Sequence, residues 1–112
     1  MRAEAVKGHL DSILLAALER KPLHGYAIMD AVRAGSHASF VLPTGTVYPA
    51  LHRLERAGLV RSRWSTVSGR RRRTSDLTER GRRRLGEERQ SWKLFSRAVS
   101  NLLSGAPAGA TS

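Results

Sequence analysis

The chain is 112 residues long, room for one domain with a modest core, and its apolar share of 40% excludes a wholly disordered polymer. It has no cysteine, which excludes disulfides and thiolate metal sites and fits a reducing cytoplasm. A formal net charge of +11, with no run near the roughly eighteen apolar residues that a membrane span needs, points to a polyanionic partner rather than a bilayer.

The charge is unevenly placed. Up to His52, the bases Arg2, Lys7, Arg20, Lys21 and Arg33 are nearly balanced by Glu4, Asp11, Glu19 and Asp30. The remaining basic residues fall between Arg53 and Arg97, with runs at Arg70–Arg73 and Arg82–Arg84. Successive arginines repel one another, so such a run is better explained by phosphate contacts than by solubility alone.

In chain order, His9–Lys21 reads as a first helix, with Leu10, Ile13, Leu14 and Leu18 as its apolar stripe and Pro22 as its stop. Asp11 and Glu19 flank its apolar centre and no small-residue cleavage site comes after it, so it reads as a helix rather than a signal peptide. Leu23–Gly35 reads as a second helix with Ile28, Ala31 and Val32 inward and His24 packing or capping its start. After a polar link, Phe40-Val41-Leu42 reads as a brief strand, separated by Pro43 from the third helix.

The stretch TGTVYPALHRLERAGLV, residues 44–60, reads as the central helix and its exit. Val47, Leu51 and Leu54, with Ala50 and Ala57 beside them, form one apolar stripe, and Tyr48, His52, Arg53 and Arg56 stand opposite. Pro49 is tolerated in a first turn, so the spacing predicts a start at Gly45 or Thr46. The threonine hydroxyls and free N–H groups there suit a phosphate. Gly58 is placed to end the helix in a left-handed conformation. Leu59–Thr66 then alternates with period two, Ser68-Gly69 signals a turn, and Arg70–Leu77 returns as a second strand. This two-stranded hairpin is expected to be anchored on the helices by Trp64 and Leu77.

Thr78 suits the N-cap of a long fourth helix reaching Leu103. Leu85, Trp92, Phe95, Val99 and Leu102 form a heptad-like seam along it, which predicts a twofold dimer. The tail from Gly105 to Ser112 is expected to be disordered. Enzyme chemistry finds no support: there is no phosphate-loop glycine pattern, no HExxH, no cysteine nucleophile, and the histidines are scattered. No catalytic residue, metal ligand or cofactor is expected.

Taken together, HGYAI at residues 24–28, TGTVYPALHRLERAGLV, the tryptophan strand, GRRRR at 69–73 and LTERG at 77–81 resemble the PadR-type transcriptional regulators, in order and over most of residues 9–103. The resemblance implies a mainly α fold with a small β-hairpin wing, a winged helix-turn-helix followed by a long C-terminal dimerisation helix. It also implies an operator-binding repressor relieved by a small planar hydrophobic or phenolic effector. Carried over by motif, Tyr26, Thr44, Thr46, Tyr48 and Pro49 fall on DNA-facing positions, Arg70, Arg71, Arg72 and Arg73 fall on the wing, and Trp92 falls on a ligand-stacking position at the dimer interface. The chain departs from the family pattern at Thr74, Ser75 and Asp76, where aromatic wing anchors are usual, which predicts a more loosely packed wing.

The expectation is therefore a homodimeric, cytoplasmic regulator of double-stranded DNA, with residues 1–77 as the DNA-binding domain, 78–104 as the dimerisation helix and 105–112 as tail. Its DNA-binding residues are Tyr26, Thr44, Thr46, Tyr48, Pro49, His52, Arg53 and Arg70–Arg73. Trp92 and Phe95 are the effector candidates within the seam. The rival reading is a non-specific basic protein, architectural or RNA-associated, which shares the charge but would not need the seam.

Overall fold

The computed structural model describes residues 8–105, and the tail beyond Gly105, expected to be disordered, lies outside the described residues. In chain order come α1 (Leu10–Ala17), β1 (Leu23–His24), α2 (Gly25–Gly35), α3 (Thr44–Arg56), β2 (Val60–Val67), β3 (Arg70–Leu77) and α4 (Glu79–Leu103). The result is the expected winged helix-turn-helix with a long final helix. The strands form an antiparallel sheet in the order β1-β3-β2.

One core holds the helices and the base of the sheet together. Leu14, Leu15 and Leu18 meet Ile28 and Val32 of α2, Val47, Ala50, Leu51 and Leu54 of α3, and Leu59, Val60, Leu77 and Leu85. The apolar spacing of α1 and α3 thus does what it predicts, but three boundaries differ. First, α1 stops at Ala17 rather than Lys21. The Leu18 N–H is shared between the Leu14 and Leu15 carbonyls, and Glu19 N–H bonds the Ala16 carbonyl, so the end tightens toward i−3 bonding. Second, Leu23–His24 does not belong to α2. It pairs with Ser75 and Thr74 of β3, and the His24 Nδ1 then caps α2 by accepting from the Ala27 N–H at 3.4 Å. Third, Phe40–Leu42 forms no strand, because β1 already occupies the free edge of β3. Leu42 is instead buried as a loop residue beside half-buried Phe40.

The start of α3 also corrects the sequence reading. The helix begins at Thr44 with Pro43 as its N-cap, and Pro49 lies inside it. The lost bond is the one Pro49 would donate to the Gly45 carbonyl. Both residues are exposed, so water can serve that carbonyl, while burial of Val47, Ala50, Leu51 and Leu54 favours an unbroken helix. At the other end Gly58 has φ +76°. Its N–H bonds the Glu55 carbonyl and the Leu59 N–H bonds the Leu54 carbonyl, both at 3.0 Å, which is the paired closure that a left-handed residue makes possible.

α2 closes in the same way without a glycine. His37 and Ala38 have φ of 51° and 63°, and their N–H groups bond the Ala34 and Arg33 carbonyls. His37 therefore sits where a Cβ is strained. His37→Gly should raise stability by about 1 kcal/mol, read as a shifted urea midpoint at unchanged slope.

The wing is a paired hairpin from Val60↔Leu77 to Val67↔Arg70, turned by Ser68 (φ 51°) and Gly69 (φ 78°), the two positive values that a tight two-residue turn needs. Leu77 anchors it in the core, but Trp64 does not: that ring is 61% exposed and lies under the Arg71 guanidinium, 5.1 Å from its centroid. Thr74 and Ser75 stand where a loosely packed wing is expected. Both are buried, Thr74 Oγ1 donating to the Arg63 carbonyl at 3.3 Å and Ser75 Oγ lying 3.4 Å from Ser62 Oγ.

α4 begins as expected. Thr78 Oγ1 accepts from the Gly81 N–H (3.0 Å) and donates to the Gly58 carbonyl (2.7 Å), joining the end of α3 to the start of α4. Along the helix the seam divides. Leu85, expected at a dimer interface, is 4% exposed within the chain's own core, because this part of α4 packs on α1. The accessible seam begins at Trp92.

Candidate nucleic-acid interface

The outer face of α3 is dictated by its inner one. With 3.6 residues per turn, the residues opposite Val47, Ala50, Leu51 and Leu54 are Gly45, Pro49, His52 and Arg56, and all four are exposed. The N–H groups of Thr44 and Gly45 have no acceptor within the helix and open the same face. Thr44 is exposed and Thr46 half-buried. Tyr48 flanks this stripe, its ring against the start of α2, where a Cβ at Gly25 would lie 2.6 Å from Cζ of the tyrosine. Tyr26, one residue further into α2, is exposed. Arg53 flanks the stripe on the other side. Rather than standing free, its guanidinium is ion-paired with Asp11 of α1.

Strand register sorts the wing arginines. Trp64 is opposite Arg73 and Thr66 is opposite Arg71, so Trp64, Arg71 and Arg73 share one face, while Arg70 and Arg72 take the other. The Arg73 face looks toward α3, since Arg73 Nη2 lies 3.3 Å from Glu55 Oε1. Between helix and wing is an open groove lined by His52, Glu55, Arg56 and Arg73. On the far face, Arg61 and Arg63 pair with Asp76 at 3.4 and 3.8 Å.

Other arginines are structural. Arg89 grips Glu19 with two bonds of 2.6 and 2.7 Å, and Arg82 donates to the Glu19 carbonyl at 3.2 Å, fastening α4 to the end of α1. The hydrogen bond from Arg89 holds the Glu19 carboxyl below its ordinary range. Glu88 is lowered likewise, first by the bond from Arg84 and then by that from Ser12. Further along α4, Trp92 and Phe95 lie on one side with ring centroids 5.9 Å apart, and the His9 and Trp92 rings meet in a T-shaped arrangement with centroids 5.5 Å apart. Both rings are more than half exposed.

Sequence reasoning did not find Glu55, although its spacing of three from His52 on a helix was visible. Nor did it find that Trp64 would be uncovered, for which no signal existed in a strand read in isolation.

The arrangement is matched by known proteins. Residues 14–87 match the model of the transcriptional regulator PadR-like family. The chain belongs to that family. A transcriptional regulator of Mycobacterium tuberculosis is 41% identical over 64 residues, which are 57% of this chain and 60% of that one. Among solved structures, a PadR family transcription regulator from Clostridium difficile superposes with TM-score 0.75 at 33% identity, covering 86% of this chain and 99% of that one. A PadR-like regulator from Bacillus cereus gives TM-score 0.80 at 26% identity, with 90% and 97% covered. The chain is thus a transcriptional regulator rather than an enzyme, and DNA is the partner its family implies. Among the described residues no helix is long and apolar enough to cross a membrane.

Proposed function

We propose that this regulator is a homodimeric repressor that binds a pseudo-palindromic operator, inserting α3 into the major groove while the wing grips the adjacent backbone or minor groove. The observation that carries this reading is the groove between the C-terminal half of α3 and β3, where His52, Arg56 and Arg73 converge, with the open N-terminal turn as the entry at the helix's other end. Thr44, Thr46, Tyr26 and Tyr48 border that entry and are assigned to phosphate. His52 and Pro49 face the bases. Arg70 to Arg73 divide between the two wing faces, so only part of the run touches one duplex at a time. Arg53 joins the interface by exchanging Asp11 for a phosphate or a guanine edge.

In this reading the winged helix extends through Leu77 and α4 is the dimerisation element. Beyond the core contact of Leu85, the helix runs on with Trp92, Phe95 and Leu102 uncovered. A helical stretch of this length is marginal in water unless its apolar face is covered, and a second copy supplies the symmetric cover. The paired rings of Trp92 and Phe95 suit a planar apolar effector, which should quench tryptophan fluorescence in the wild type and not in Trp92→Ala.

Selection from a random duplex pool tests the main claim. The protein should enrich an inverted repeat with half-sites about one helical turn apart. Recovery of no preferred sequence would favour the non-specific rival.

A further inference from the structure

We infer that Glu55 is a specificity-determining residue of the DNA interface, one that withholds Arg73 from indiscriminate phosphate contact and fixes the wing relative to α3. This rests on the DNA-binding reading above.

A carboxylate is out of place on a surface meant for phosphates. Juxtaposed with a polyanion it weakens binding to every duplex alike, so its presence calls for a compensating role. Its surroundings supply one. Glu55 is only 23% exposed and bridges two elements: Oε1 is 3.3 Å from Nη2 of Arg73 on β3, and Oε2 is 3.7 Å from Nδ1 of His52 one turn back on α3. Arg73 shares its strand face with Trp64 and Arg71, so the direction in which Arg73 is held is also the direction in which that face of the wing is aimed.

The consequences for binding differ between sequences. Non-specific binding depends on cations free to settle on whichever phosphates are nearest, and each cation engaged adds about 0.9 to the slope of log affinity against log salt. With Glu55 in place, Arg73 leaves that pool. On a preferred site, where α3 reads base edges, the backbone already runs where the restrained wing can meet it, so restraint costs little there. Glu55 thus lowers affinity for the wrong DNA more than for the right one.

The test uses the full-length protein and two duplexes, one recovered by wild-type selection from a random pool and one scrambled, titrated over a range of salt. Glu55→Gln should bind the scrambled duplex several-fold tighter with a slope steeper by about one per protomer, while binding to the selected duplex changes little, so the selected-to-scrambled ratio drops by roughly five- to tenfold. Arg73→Gln made in addition should erase that change, since the cation released is then missing. An unaltered ratio in Glu55→Gln, or equal loss of both affinities, overturns the inference. A wild type that selects no sequence overturns the DNA-reading function itself, a separate result.

Discussion

Replacing Gly81 with alanine should cost about 3 kcal/mol or more of stability, whereas Gly86→Ala a little over one turn later should add roughly 0.5–1 kcal/mol. Both are helical glycines in α4, and helix propensity alone predicts a gain at each. Surroundings reverse the sign at the first. A Cβ on Gly81 would overlap the Leu59 carbonyl oxygen and come within 3.1 Å of its carbon and 3.4 Å of the Leu77 side chain, while at Gly86 it would meet nothing within 4 Å. The obstructing atom is backbone and cannot rotate away. It also accepts the Thr78 N–H at 3.1 Å, and Thr78 in turn bonds Gly58 and Gly81. Making room for one methyl group would therefore loosen the junction of α3, β2 and α4 together. Urea unfolding of the two variants checks this. Equal and stabilising effects would show that the junction yields easily.

The same pair of glycines shows what the sequence could and could not convey. Both look like weaknesses in a helical pattern, because the neighbour that makes Gly81 necessary arrives from a turn some twenty residues earlier. Local signals were legible: the apolar spacing of α3, the left-handed stop at Gly58, the Ser68-Gly69 turn and the Thr78 cap each act within a few residues. Features set by distant partners were not. The strand Leu23–His24 exists because β3 offers an edge about fifty residues on, and two residues carry no periodicity of their own. Pro49 shows only its local penalty in the sequence, whereas the core contacts that keep α3 continuous through it come from other elements. The candidate interface divides along the same line. The positions of His52, Arg56 and the wing arginines come from helix and strand periods, but the partners Asp11 for Arg53 and Glu55 for Arg73 come only from the fold.

On the proposed dimer, Phe95→Asp should give monomers and reduce affinity for a selected operator by roughly a hundredfold or more, since two half-sites would no longer be engaged as one linked event. In a twofold interface the substitution enters twice, each time placing a carboxylate where an apolar ring would be covered. Phe95 is 57% exposed in the single chain and lies outside its core, so the variant should keep a cooperative melt of the winged helix while only the uncovered end of α4 frays, separating loss of assembly from loss of folding. Leu94→Asp provides the comparison. Leu94 is 68% exposed and points away from the side that carries Trp92, Phe95 and Val99, so a charge there should leave the dimer intact. Sedimentation velocity decides between two geometries: a dimer lost in both variants would place the interface around the whole helix, and a dimer kept in Phe95→Asp would remove the seam from the assembly. Only loss in the first and survival in the second fits a stripe that continues, beyond Leu85, the face by which α4 already packs on its own chain.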